Sequence, residues 1–208
     1  LGALMVGLAG PIVDLIYERG AFDAAAGDLV DDLLMAYGIG MAVYLGRDVL
    51  VRVFYALGDG NTPFRLSMAG IGLNALFDWL LVGGPTPWGQ QLPALNFGAP
   101  GLVLATVGVN VITCGALLWV LHRRLGGLPL LAWGRDTTLL LLAACLGGAL
   151  AWALANGLAW PQNLAGLLLR PALAGALGLA VFGLVASASG VPEARQMLTQ
   201  LGSRIHRR

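Results

Sequence analysis

Between Asp78 and Arg123 the sequence carries no Asp, Glu, Lys or Arg. Few architectures tolerate so long a stretch without charge. A water-soluble domain gives about 25% of its residues to charged side chains. This chain of 208 residues gives 11%, is 58% hydrophobic and has a mean hydropathy of +0.79. So few charges could not cover a folded surface in water. Disorder is excluded as well, because it needs low hydrophobicity and high charge. Cys114 and Cys145 are too few for a disulfide scaffold. A net charge of +1 leaves no electrostatic footprint for nucleic acid. The remaining class is an all-α, polytopic helical membrane protein, with membrane lipids as its solvent.

A hydrocarbon core about 30 Å thick takes roughly 20 apolar residues per helix. That ruler predicts six spans: an apolar stub at 1–16, then 33–56, 65–83, 99–121, 137–159 and 165–188. Pro85, Pro87, Pro93 and Pro100 crowd one part of the chain. Proline removes a donor and breaks helices, so 84–98 reads as a loop between two spans. Asn156 to Asn163, with Trp160-Pro161 inside, separates the fifth span from the sixth. Trp88, Trp133 and Trp160 fall at span ends, where an amphipathic ring suits the membrane interface. The chain opens Leu1-Gly2-Ala3 in an apolar run with no basic segment before it, unlike a signal peptide. This opening predicts a chain cut in mid-helix, hence part of a longer protein.

Arginine sets the orientation, because basic loops stay in the cytoplasm. The first loop holds Arg19 against Glu18, Asp23, Asp28, Asp31 and Asp32. The next turn is bracketed by Arg52 and Arg65, the proline-rich loop is uncharged, and the fourth loop holds Arg123, Arg124 and Arg135. The fifth loop is again uncharged, and the tail 189–208 carries Arg195, Arg204, Arg207 and Arg208. Basic and non-basic loops alternate, so six spans start and finish on the cytoplasmic side. The basic tail reads as an anchor against anionic lipid.

Charged groups inside lipid cost roughly 2.5–3.5 kcal/mol each on insertion scales, so each needs a role. Asp48 and Arg52 are spaced i, i+4, which predicts a local ion pair with Arg52 reaching toward the interface. Arg47 lies about 100° round the helix from Asp48 and about 21 Å along the helix from residue 33. It is a candidate for the wall of a polar cavity that faces an anionic substrate. Asn74 and Asp78 are also i, i+4, deep in the third span, and share a face. An ionised Asp78 needs a cation, and hard cations need several oxygens. Thr106 and the backbone carbonyl of Leu102, on the fourth span, could complete a sodium-type site. An interhelical hydrogen bond that fastens the spans is the other reading. Asp28, Asp31 and Asp32 are expected to complement the dipole at the start of the second span, and Asp23 to cap it. No catalytic set is present. His122 and His206 lie in basic segments, the cysteines are isolated in apolar runs, and no nucleophile elbow, phosphate loop or metal spacing occurs.

Two segments carry a resemblance: Glu18-Arg19-Gly20-Ala21-Phe22, and Arg52-Val53-Phe54-Tyr55-Ala56-Leu57-Gly58-Asp59-Gly60-Asn61-Thr62-Pro63. With Phe97-Gly98-Ala99-Pro100-Gly101-Leu102-Val103-Leu104-Ala105-Thr106, the sequence resembles the MurJ/MviN family, lipid II flippases of the MOP exporter superfamily. The resemblance is densest over residues 10–125. It implies that residues 1–125 belong to the second lobe of a two-lobed transporter. Residues 126–188 would then be two C-terminal groove helices that hold a polyprenyl tail, and 189–208 a cytoplasmic tail.

By the same resemblance the chain is a transporter rather than an enzyme, seated in the bacterial cytoplasmic membrane with its C-terminus inside. It would move lipid-linked peptidoglycan precursor for cell wall synthesis by alternating access, together with an N-terminal lobe outside this sequence. Arg47 and Arg52 become substrate-cavity candidates. Asn74, Asp78, Leu102 and Thr106 become candidates for a coupling cation, sodium, with no other cofactor implied. Two alternatives stay open: another MOP-type exporter of polysaccharide-lipid or drugs, and a non-transporting membrane assembly protein.

Overall fold

The computed structural model describes residues 1–17, 24–84, 94–161 and 163–189. All regular structure among the described residues is helical: α1 (Gly2–Gly7), α2 (Ala9–Tyr17), α3 (Ala24–Ala56), α4 (Asn61–Val82), α5 (Ala99–Arg124), α6 (Leu130–Gly157) and α7 (Leu164–Ala188). Helices α3 to α7 are each long and apolar enough to cross a bilayer. Large apolar side chains stay on their outer faces, with Leu131 93%, Leu184 70% and Ile71 65% exposed. Water would penalise such a surface, and hydrocarbon does not. The chain is a multi-pass membrane protein.

The first expected span is two short helices rather than one. Pro11 lacks the N–H that would bond the Gly7 carbonyl, so the helix breaks there, and Leu8 relaxes to φ −116°. Bonds on either side persist, from Leu8 N to Leu4 O and from Ile12 N to Leu8 O, both at 2.9 Å. Helix α3 begins at Ala24, upstream of the expected 33, and its first turn holds no acid. Asp28, Asp31 and Asp32 therefore lie beyond the turn where the dipole acts, which corrects their expected role. Asp23, the Glu18–Phe22 motif and most of the proline-rich loop fall outside the described residues. Helix α6 begins at Leu130 and takes in Trp133, Arg135 and Asp136, which the hydrophobic ruler left in a loop. Between α6 and α7, the Trp160 indole Nε1 donates to the Ala155 carbonyl at 3.0 Å, and Asn163 Oδ1 caps α7 by accepting from Gly166 N at 2.9 Å.

The chain divides into two compact units. One comprises α2, α6, α7 and most of α1. Lipid supplies no hydrophobic drive between helices, so small residues let backbones approach. A β-carbon on Gly7 would lie 2.6 Å from the Gly148 carbonyl, one on Gly148 2.6 Å from the Ala3 carbonyl, and one on Gly147 2.6 Å from that of Gly178. Leu8, Ala151, Ala155 and Ala174 form the buried centre. The other unit, residues 29–128, holds α4, α5 and most of α3. It has one core at Ala36, Val103 and Val107 and another at Phe54, Leu117 and Leu121.

Candidate functional site

Within the α3–α5 unit the polar residues follow helical spacing. Ser67, Asn74 and Asp78 recur along one face of α4, and Thr106, Asn110 and Thr113 along one face of α5. With Arg47 of α3 they line a pocket of about 560 Å³. Gly70 packs against Val109 and Thr113, Gly108 against Phe77, and Gly101 against Val82. These pairs make α4 and α5 antiparallel. They set Asp78 level with Thr106, and Asn74 level with Asn110.

The pocket has two unlike ends. At one, Arg47 Nη2 donates to Ser67 Oγ at 2.8 Å. At the other, Asn74 Nδ2 donates to Asp78 Oδ2 at 2.7 Å, while Asp78 Oδ1 is buried with no hydrogen-bond partner among the described residues. Eleven residues separate Ser67 from Asp78, or roughly 16 Å along a helix. A buried, unpartnered carboxylate oxygen is costly unless something compensates it. Asn74, Thr106 and Asn110, which line the same pocket, carry amide and hydroxyl oxygens of the type a hard cation takes. Among the described residues no group of three or more His, Cys, Asp or Glu could hold a metal, so softer transition-metal chemistry has no ligand set here.

The structure brings Arg47, Asn74, Asp78 and Thr106 into one pocket. Leu102 is not among the lining residues. Its carbonyl accepts the Thr106 hydroxyl at 3.1 Å, near the level of Val82 rather than of Asp78. Arg52 also lies outside the pocket. It pairs with Asp48 at 2.8 Å, the two side chains being 78% and 58% exposed. Sequence reasoning missed Ser67, Asn110 and Thr113. The signal was available on α5, where Thr106, Asn110 and Thr113 form an i, i+4, i+7 polar stripe on an otherwise apolar helix.

Two other polar clusters serve as fasteners. In the α1, α2, α6, α7 unit, Arg170 bonds three groups: Nη1 to Asp14 Oδ2, Nη2 to Asn156 Oδ1 and Nε to the Ala155 carbonyl, each at 3.0 Å. This residue stands inside the sixth predicted span, where the sequence reading gave it no role. The other cluster explains the Gly58–Pro63 motif. Asp59 Oδ1 accepts from Thr62 N at 3.0 Å, and Arg124 pairs with Asp59 at 2.7 Å. Arg124 also donates to Thr62 Oγ1 at 3.2 Å and lies 5.7 Å from the centre of the buried Phe54 ring. Hydrogen bonds from Thr62, and then the Arg124 guanidinium, hold the Asp59 carboxyl below the usual aspartate range. The motif locks the α3–α4 turn onto the end of α5.

Comparison with known proteins places this geometry in context. A family model described as lipid II flippase MurJ matches residues 1–170. A probable lipid II flippase MurJ from Synechocystis sp. is 49% identical over 152 residues, covering 73% of this chain and 26% of that protein. A second, from Rhizobium meliloti, is 26% identical over 195 residues, covering 91% and 32%. A solved structure of lipid II flippase MurJ in an inward closed conformation superposes with a TM-score of 0.61 at 21% identity, over 89% of this chain and 35% of that one. That likeness shows the fold. The chain spans about a quarter to a third of the length of these relatives.

Proposed function

The chain belongs to the lipid II flippase MurJ family, and from that premise we propose that it works as part of a transporter for lipid-linked peptidoglycan precursor. The transporter sits in the bacterial cytoplasmic membrane and serves cell wall synthesis. No covalent bond of the substrate changes. One lobe rocks against the other and exposes the polar head group to each side in turn. The partner lobe would come from the part of the longer relatives that this chain does not span. Alternating basic loops support a cytoplasmic C-terminus, with Arg52, Arg65, Arg123 and Arg124 on the inner side.

The pocket between α3, α4 and α5 is the observation that carries this reading. Its Arg47 end suits pyrophosphate oxygens, because guanidinium N–H groups match that geometry. The end with Asn74, Asp78 and Thr106 suits a coupling sodium ion, whose charge would compensate the orphaned Asp78 oxygen. When bound, the ion supplies a gradient-dependent bias between the two access states. Exposed leucines on α6 and α7, such as Leu142, Leu168 and Leu184, suit the polyprenyl tail. Arg52 is a weaker cavity candidate, since Asp48 already neutralises it.

Vesicles reconstituted with the protein in its natural full length test the assignment. Wild type is expected to translocate fluorescent lipid II, and Arg47→Gln to slow it by about tenfold, the loss of one charge-assisted contact. Equal translocation of unrelated polysaccharide-linked lipids would favour the broader exporter reading. No translocation of any lipid would favour a non-transporting role.

A further inference from the structure

We propose that Ser67 is a positioning residue for transport: it aims the Arg47 guanidinium so that a preformed row of N–H donors meets the pyrophosphate of the lipid-linked substrate. The inference rests on the reading of the Arg47 end of the pocket as a pyrophosphate contact. Arg47 stands on α3 and Ser67 on α4, and Nη2 of the one donates to Oγ of the other at 2.8 Å. Both residues line the pocket. A guanidinium carries five N–H donors in a planar fork. Among the described residues Ser67 is the one acceptor that Arg47 has, and its other donors are left unused. A half-buried cation within a span, with donors to spare, suits a group rich in acceptor oxygens.

Ser67 behaves unlike the threonines of α5 and α6. Thr106, Thr113 and Thr138 donate to carbonyls one turn back in their own helices, the ordinary habit of a helical hydroxyl. Ser67 makes no such bond among the described residues, and its oxygen instead accepts from a neighbouring helix. A bridge of this kind is needed there. Helices α4 and α5 pack backbone against backbone, whereas α3 does not close on α4 in that way. An arginine that reaches across such a gap would otherwise sample many rotamers. Ser67 itself is held in place. It stands five residues, or roughly 7.5 Å, beyond Thr62 in the turn that Asp59 and Arg124 lock. A short side chain on a fixed backbone thereby fixes a long one, which is how a binding group is preorganised.

Translocation of fluorescent lipid II by the natural full-length protein in vesicles, measured against lipid II density, tests this. Ser67→Ala is expected to raise the half-saturating density about fivefold, the loss of one hydrogen bond from a charged group, and to keep the maximal rate. Ser67→Thr keeps the hydroxyl and should restore the wild-type value. Because Ser67 acts through Arg47, the double variant Arg47→Gln with Ser67→Ala should be no more impaired than Arg47→Gln alone. Three results overturn the positioning role and spare the pyrophosphate contact: additive losses in the double variant, a Ser67→Thr as impaired as Ser67→Ala, or wild-type half-saturation in Ser67→Ala beside an impaired Arg47→Gln. Wild-type behaviour of Arg47→Gln overturns both. Should Ser67→Ala fail to fold, Ser67→Cys decides, since a thiol of similar size accepts hydrogen bonds poorly. Unchanged half-saturation in that variant overturns the proposal.

Discussion

Arg170 and Arg47 are both arginines within apolar helices, but the two units of the chain use them in opposite ways. Arg170 bonds Asp14, Asn156 and the Ala155 carbonyl, tying α2, α6 and α7 together. Arg47 bonds the Ser67 hydroxyl and faces a pocket. The same contrast runs through their surroundings. The α1, α2, α6, α7 unit is closed by glycine contacts, whereas the α3–α5 unit keeps the Asp78 Oδ1, the Tyr44 hydroxyl and the Trp79 indole N–H buried without hydrogen-bond partners among the described residues. An intramembrane charge whose bonds its own chain completes is a fastener. One with bonding atoms left over beside a cavity is a candidate site.

The comparison breaks most readily at the glycines. Gly148→Leu would drive a side chain into the Ala3 backbone, and a loss of about 3 kcal/mol or more is expected, read by unfolding in detergent. Gly115→Ala, with open space around it, should be tolerated. If the two behave alike, close backbone approach is not what holds that unit.

Next in size is Arg170→Met, expected to cost about 1–3 kcal/mol, between exposed and fully buried pairs, because its side chain and that of Asp14 are 24% and 32% exposed. Adding Asp14→Asn should recover part of the loss, since the cost lies largely in stranding the carboxylate. A double variant no better than the single one would remove the fastener interpretation.

The turn lock is tested by pH. Asp59 is held below its ordinary pKa, so its contribution is complete above about pH 4 and is lost as pH falls through the lower folded value. Asp59→Asn should flatten the melting temperature against pH in that acidic window and leave the profile near pH 7 parallel to wild type. Smallest of all, Asp48→Ala removes an exposed i, i+4 pair and should cost about 0.5 kcal/mol or less. A larger loss would mean that the exposed Asp48–Arg52 pair faces hydrocarbon rather than the screened membrane interface.

Much of the fold was legible because a hydrocarbon slab imposes a length. The expected 65–83 and 165–188 lie within a few residues of α4 and α7. The starts of α3 and α6 were missed because Asp28, Asp31, Arg135 and Asp136 read as loop, yet a helix continues past the apolar layer when its last turns meet water. In the pocket, Asn74 and Asp78 were legible from spacing on one helix. Asn110 was not, because its place opposite Asn74 depends on how α4 and α5 slide against each other. The partner of Arg170 was hidden for a similar reason, with Asp14 lying 156 residues away in the chain.

The central claim, that the α3–α5 pocket couples a cation to substrate movement, is tested most directly by lipid II translocation in vesicles with an imposed sodium gradient, comparing wild type with Asp78→Asn in the full-length protein. The account predicts that the gradient accelerates wild type and leaves Asp78→Asn unmoved. An equal response of the two proteins to the gradient would contradict it.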